Sequence, residues 1–401
     1  MKKIFPWLLA FMLLILGMIS YLDRSTLSIA NTVIAETFDI PPMQMGILLS
    51  AFMWPYAIAN LPSGYLVDKY GINKIMAISI TGWSIACILS GFVTGFYTIL
   101  MTRILLGIAE APFFIIATKV IQEHFSPSKR GLASSIVSLG PRIASVIAPV
   151  FIVLLIALIS WRGMFILLGI IGAILGVIWY MISNKSFKKI ELQNRSRKTT
   201  SFVKCFKNKN VILLCLGNFG SSYAYWVFVT WLPYYFIHTK GLDLSQMGLA
   251  ASATFVLALA SVMLGGIISD MFISAKTNVI KSRLVPIIFG CAVAGLSIII
   301  LPFIDNLTIS IVIISISIFC LGLRISPIWA LVADISSKES VGTVGGIQNF
   351  ANFIGAGLAP LLTGIILSYD SESFTIVFLI SGVICLLASF CYFFIKNTEF
   401  I

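Results

Sequence analysis

Stretches of about 20 apolar residues, the length that crosses a hydrocarbon core, occur twelve times, at 5–32, 43–67, 74–93, 97–121, 131–158, 162–183, 210–237, 245–271, 283–303, 308–335, 342–368 and 373–395. No other feature constrains the fold as much. Of 401 residues, 59% are hydrophobic and 10% charged, and the mean hydropathy is +1.03. A soluble domain is usually about 45–50% apolar. The expected fold class is therefore an all-α membrane protein with twelve transmembrane helices, each crossing read as one span.

Between the sixth and seventh spans lies the single long polar stretch, Asn184 to Asn210. It carries Lys185, Lys188, Lys189, Arg195, Arg197, Lys198, Lys204, Lys207 and Lys209 against one acid, Glu191. Six spans thus fall on each side of a basic linker. The expected organisation is an N-terminal six-helix bundle (1–183), a cytoplasmic linker (184–209) and a C-terminal six-helix bundle (210–401). Placing the N-terminus inside puts Lys2, Lys3, Lys69, Lys74, Lys129, Arg130, the linker, Lys276, Lys281, Arg283, Lys338 and Lys396 inside as well, which is the usual cationic bias of cytoplasmic loops. Both termini should then face the cytoplasm from a plasma membrane, the inner membrane in a bacterium. The same topology accounts for the net charge of +12 without a nucleic-acid partner. Met1-Lys2-Lys3 and the apolar run after it read as an uncleaved first span. Trp231-Leu232-Pro233-Tyr234-Tyr235 should form an interfacial aromatic belt at the outer end of the seventh span. The seven cysteines have no paired metal spacing and read as small core residues.

An internal repeat supports the six-plus-six division. Gly131 to Ala148-Pro149 in the fifth span has the spacing of Gly342 to Ala359-Pro360 in the eleventh, with Ile136 and Ile347 in register. Gly107-x-x-x-x-Pro112 in the fourth span matches Gly322-x-x-x-x-Pro327 in the tenth, and Gly64-x-x-x-Asp68 recurs as Gly266-x-x-x-Asp270. Two pseudo-symmetric bundles follow from these matches.

Charge inside a lipid-length helix is costly and marks function or close pairing. Asp23 and Arg24 lie in the first span and point about 100° apart; Arg103 and Glu110 lie two turns apart on one face of the fourth. If the pairs open and close they can carry protons, whereas a permanent clamp could be replaced by apolar packing. Asp23 and Glu110 are thus candidate proton-coupling carboxylates, with Arg24 and Arg103 as their charge partners. No nucleophile–base pair, phosphate-cradling loop or metal cluster is legible, so an enzyme is not expected.

Gly64-Tyr65-Leu66-Val67-Asp68-Lys69-Tyr70-Gly71-Ile72-Asn73-Lys74 resembles the loop between the second and third spans of the major facilitator superfamily. Tyr21-x-Asp23-Arg24-x-x-Leu27-x-x-Ala30, Tyr56-Ala57-x-x-Asn60-Leu61-Pro62-x-Gly64 and Arg103-x-x-x-Gly107-x-x-Glu110-Ala111-Pro112 resemble, more narrowly, its anion:cation symporter family. That resemblance implies uptake of an organic anion with protons or sodium, and the pairs Asp23–Arg103 and Arg24–Glu110. It also implies a conformational latch at Gly64, Asp68, Lys69 and Gly71, with Asp270 as the repeat counterpart of Asp68. The chain departs from the pattern at Asn60, where Gln is usual, at His124-Phe125-Ser126-Pro127, and in the membrane arginines Arg142 and Arg324.

Arg142 follows Gly140-Pro141, but Ala144 and Ser145 stand where drug/proton antiporters carry glycines. Arg324 occupies the turn matching Glu110, one residue out of register; whether it binds substrate is left open by the sequence. Arg24, Arg103, Arg142 and Arg324 outnumber Asp23 and Glu110, which suits an anionic substrate. Candidate substrate-binding residues are Arg24, Arg142, Trp54, Tyr56, Tyr223, Trp226, Gln348, Asn349 and Asn352. Phe219, Tyr223 and Trp226 recur at helical spacing on one face. The expected function is a monomeric secondary transporter that imports a small organic anion, such as a sugar acid, by proton symport and alternating access, without a cofactor and with sodium as the alternative coupling ion. An anion exchanger for organic phosphate and phosphate, and a transporter-fold sensor, are the rivals. An exchanger needs no titrating carboxylate, and a sensor would carry a cytoplasmic extension beyond the short termini read here.

Overall fold

The computed structural model describes residues 5–125, 127–183, 207–274, 278–336, 341–369 and 374–396. Eleven helical stretches among them are long and apolar enough to cross a membrane. One of these, Leu132–Ser183, has 52 residues, which at 1.5 Å per residue would reach roughly 78 Å, more than twice a hydrocarbon core. Its run is broken at Ser160, whose φ of 64° and ψ of 166° are not helical. The fifth and sixth spans are the two sides of that break, which brings the stretches of membrane-spanning length among the described residues to twelve.

Several spans are themselves interrupted. The first breaks at Ala30, between Phe5–Ile29 and Asn31–Phe38, and the second between Pro42–Ser50 and Met53–Tyr70. The fourth breaks after Phe96–Glu110 and resumes as Phe113–His124; the eighth is divided into Leu244–Val256 and Ala258–Ser274. In the tenth, Arg324 separates Leu307–Leu323 from Ile325–Ile335. The second and fourth spans are the repeat partners of the eighth and tenth, so the breaks repeat too. Irregular backbone at membrane depth is tolerated where it is buried in protein or lines a polar cavity.

The chain divides into two compact units, residues 1–194 with 242–252 and residues 195–241 with 253–401. In unit 1 the first span packs on the fifth, the third on the sixth and the second on the fourth. In unit 2 the seventh packs on the eleventh, the ninth on the twelfth and the eighth on the tenth. The pairing scheme is the same one twice, as the sequence repeat requires. Gly107 and Gly322 occupy matching positions in it: a Cβ on Gly107 would run into the Phe52 carbonyl, and one on Gly322 into the Ser261 hydroxyl.

The aromatic belt expected on the seventh span is not what forms there. Trp231 is only 1% exposed and donates its indole N–H to the Pro360 carbonyl at 3.2 Å. Tyr235 is buried against Phe374 and Phe378. These rings serve packing between helices, with the indole N–H satisfied by an eleventh-span carbonyl.

Candidate functional site

In unit 1 the break after Glu110 ends a helix with a carboxylate facing the first span. Glu110 has no exposed surface, and its Oε2 accepts from Arg24 Nε at 2.7 Å and from the Ser20 hydroxyl at 2.9 Å. The Arg24 guanidinium lies 4.7 Å from the ring centroids of both Phe52 and Tyr56, the stacked pair of the second span. Aromatic faces favour a desolvated cation. Glu110 Oε1 and Arg24 Nη2 make no hydrogen bond among the described residues, so each partner keeps capacity for a proton or an incoming group. The expected Arg24–Glu110 pair is thus present.

The expected Asp23–Arg103 pair is not. Arg103 Nη1 donates to the Asp23 backbone carbonyl at 3.2 Å and Nη2 to Thr26 Oγ1 at 3.2 Å, with the guanidinium 5.3 Å from the Phe165 ring. The Asp23 carboxylate turns to the third span instead, where the Cys87 thiol donates to Oδ1 at 3.4 Å and also lies 3.3 Å from the Phe165 carbonyl. Asp23 is 1% exposed, and its Oδ2 makes no hydrogen bond among the described residues. The reason is directional. A helix sends neighbouring side chains about 100° apart, so Arg103, approaching on the face that bares the Asp23 carbonyl and Thr26, meets backbone rather than carboxylate.

Cys87, Ser20 and Phe52 carried no signal in the sequence, since small polar and aromatic residues are ordinary in membrane helices. Asn60, where Gln is usual, donates to the Ala111 carbonyl at 3.3 Å and so satisfies the backbone at the fourth-span break. Trp54 and Arg142 are half-buried in unit 1. In unit 2, Tyr223 and Gln348 are buried while Trp226, Asn349 and Asn352 are half-buried. Ser222 donates to the Asn352 carbonyl at 2.9 Å and Asn218 Nδ2 to the Gln348 carbonyl at 3.1 Å, which ties the seventh span to the eleventh. Asn218 Oδ1 accepts from Arg324 Nη1 at 2.8 Å.

At the ends of the spans, Gly71 joins the second to the third with φ 87°, a conformation that favours glycine. Gly64 has open space around it, and Lys69 is exposed with its ammonium 5.3 Å from the Tyr70 ring. The side chain of Asp68 lies outside the described residues. In unit 2, Asp270 accepts from Arg283 Nη1 at 2.6 Å, and Arg283 Nε donates to Asp334 at 3.0 Å. Arg283 was legible only as one of many inside cations; its two acids come from the eighth and tenth spans.

A dry ion pair at a helix break has a use in a membrane when it opens to something that crosses, and a duplicated bundle of interrupted spans is the architecture of a multi-pass membrane transporter. The chain belongs to the Major Facilitator Superfamily, whose model matches residues 13–360. It is 31% identical over 394 residues to the probable L-galactonate transporter of Escherichia coli K12, covering 94% of this chain and 86% of that protein. Identity to the probable galactarate/D-glucarate transporter GudP of Bacillus subtilis is 30% over 392 residues, covering 90% and 86%. The hexuronate transporter of the same organism is 28% identical over 393 residues, covering 94% and 91%. A bacterial homologue of the human lysosomal transporter Spinster, solved inward-facing and occupied, superposes with a TM-score of 0.83 at 17% identity, covering 98% of this chain and 97% of that one. The family and these relatives are transporters, not enzymes.

Proposed function

We propose that the chain imports a small organic anion, a sugar acid or a related carboxylate, by proton symport and alternating access. The observation that carries the reading is the buried Arg24–Glu110 pair at 2.7 Å with a spare guanidinium nitrogen beside it. Galactonate, galactarate, glucarate and hexuronate, the compounds in the names of the relatives, all carry the carboxylate that a guanidinium fork holds.

A proton on Glu110 removes the charge that holds Arg24, and an incoming carboxylate takes its place on the guanidinium. Release of substrate lets the pair re-form and expel the proton. Asp23, held by a neutral thiol rather than by a cation, is the second proton site. Arg142, Trp54, Tyr56, Tyr223, Trp226, Gln348, Asn349 and Asn352 belong to the substrate-binding set in the same reading. Gly64, Asp68, Lys69, Gly71 and Asp270 belong to the latch. Residues 1–183 and 210–401 are the two bundles, 184–209 the linker, and the setting is a bacterial inner membrane.

Transport by purified protein in proteoliposomes tests the coupling. Glu110→Gln, which mimics the protonated acid, should keep exchange of a labelled sugar acid across the membrane but lose its accumulation under an imposed pH gradient. Accumulation at the wild-type level by this variant would remove Glu110 as the coupling carboxylate. Accumulation by wild type under a sodium gradient alone would assign sodium in place of the proton, and exchange without accumulation under either gradient would favour the anion exchanger.

A further inference from the structure

Arg324 is a buried guanidinium at the break of the tenth span. It is 6% exposed and stands between Leu307–Leu323 and Ile325–Ile335 in the tenth span. No carboxylate lies within ion-pair distance of it among the described residues. Its Nη1 donates to the neutral Asn218 Oδ1 at 2.8 Å, and its Nε makes no hydrogen bond among the described residues. The same amide reaches on to the Gln348 carbonyl, and Gln348 Oε1 is also without a hydrogen bond among them. A full positive charge at membrane depth whose hydrogen-bond partner among the described residues is a neutral amide is costly to keep. If its work were to tie the tenth span to the seventh, a neutral donor would do so without that cost.

The two units differ in sign at matching places. In unit 1 the break after Gly107 carries Glu110, already neutralised by Arg24; in unit 2 the break after Gly322 carries Arg324, which no acid among the described residues meets. The helix that starts immediately after Arg324 runs 11 residues and turns its positive end toward the same point, the half-helix arrangement that favours anionic groups in membrane transporters. We propose that Arg324, oriented by Asn218, is an anion-binding residue of unit 2 that takes a carboxylate of the transported acid. The assignment rests on the organic-anion reading above and adds a binding residue that the Arg24 site does not include.

Binding of galactarate to the full chain in lipid nanodiscs, measured by titration calorimetry, tests it. Arg324→Gln, at a wild-type melting temperature, should bind galactarate at least tenfold more weakly, and Arg324→Lys, which keeps the charge but not the fork, should fall between. Wild-type affinity in Arg324→Gln would overturn the assignment while leaving the organic-anion reading intact. Failure of the wild-type chain to bind galactarate, galactonate or glucuronate would overturn both. Asn218→Asp, which keeps Arg324 but sets a carboxylate where its neutral Oδ1 partner stands, should likewise bind galactarate at least tenfold more weakly. That arm holds even if Arg324→Gln does not fold, and wild-type affinity in a folded Asn218→Asp protein would overturn the assignment.

Discussion

Asp23 and Arg24 are adjacent in the chain, yet different elements answer their charges: the fourth span meets Arg24 through Glu110, and the third meets Asp23 through Cys87. The two contacts differ in kind. A guanidinium–carboxylate bond is charge-assisted, and removing one member leaves the other buried and unpaired. A thiol is a weak donor, so the carboxylate lacks a charge-assisted hydrogen bond among the described residues. Arg24 also lies against two aromatic rings, where a planar guanidinium interacts better than a compact ammonium. Arg24→Lys should therefore insert and fold but bind a sugar acid at least about tenfold more weakly, since the bidentate fork and the stacking are both lost. Calorimetric titration of that variant is the check, and unchanged affinity would take Arg24 out of the binding site.

At the scale of elements, breaks in the spans deliver the charged groups. Glu110 ends one half-helix of the fourth span and Arg324 separates the halves of the tenth, while close approach of the neighbouring helices keeps each break enclosed. Gly107 and Gly322 permit that approach. Valine at either position would place carbon atoms where the Phe52 carbonyl or the Ser261 hydroxyl already lies, and overpacking of this sort costs about 1–3 kcal/mol. Both variants should melt at lower temperature in detergent. Gly346→Ala, whose added methyl meets nothing within 4 Å, is the control and should melt no lower than wild type, because alanine is the better helix former. A Gly107→Val protein that melts like wild type would show that the second and fourth spans do not need this contact.

At the scale of the molecule, length of apolar run and placement of lysine and arginine act without regard to fine packing. Only 17% of residues are shared with the Spinster homologue, yet the TM-score is 0.83, because many apolar sequences fill the same helical pattern. Orientation rests on the cationic loops and on the linker, which carries nine Lys or Arg between Asn184 and Asn210. Cationic segments of this kind stay on the cytoplasmic side. Ser196→Cys in the linker should thus react with a membrane-impermeant maleimide only after intact cells are permeabilised. Labelling in intact cells would invert the topology.

The number of crossings, the repeat and the identity of the buried charges were all legible in the sequence, because hydrophobic length, spacing and charge are properties of the chain read in one dimension. The Arg24–Glu110 pair was legible through the family resemblance, which implied it together with the Asp23–Arg103 pair that does not form. Choice of partner among near neighbours was not. Arg103 bonding to a backbone carbonyl, Asp23 turning to Cys87 and Trp231 leaving the interface for Pro360 all depend on which face each helix presents to the next. That rotation is settled by contacts such as Gly107 on Phe52, made between residues far apart in the chain. A few ångströms of approach and a few tens of degrees of rotation decide whether a donor meets carboxylate or carbonyl, and only the tertiary structure supplies them.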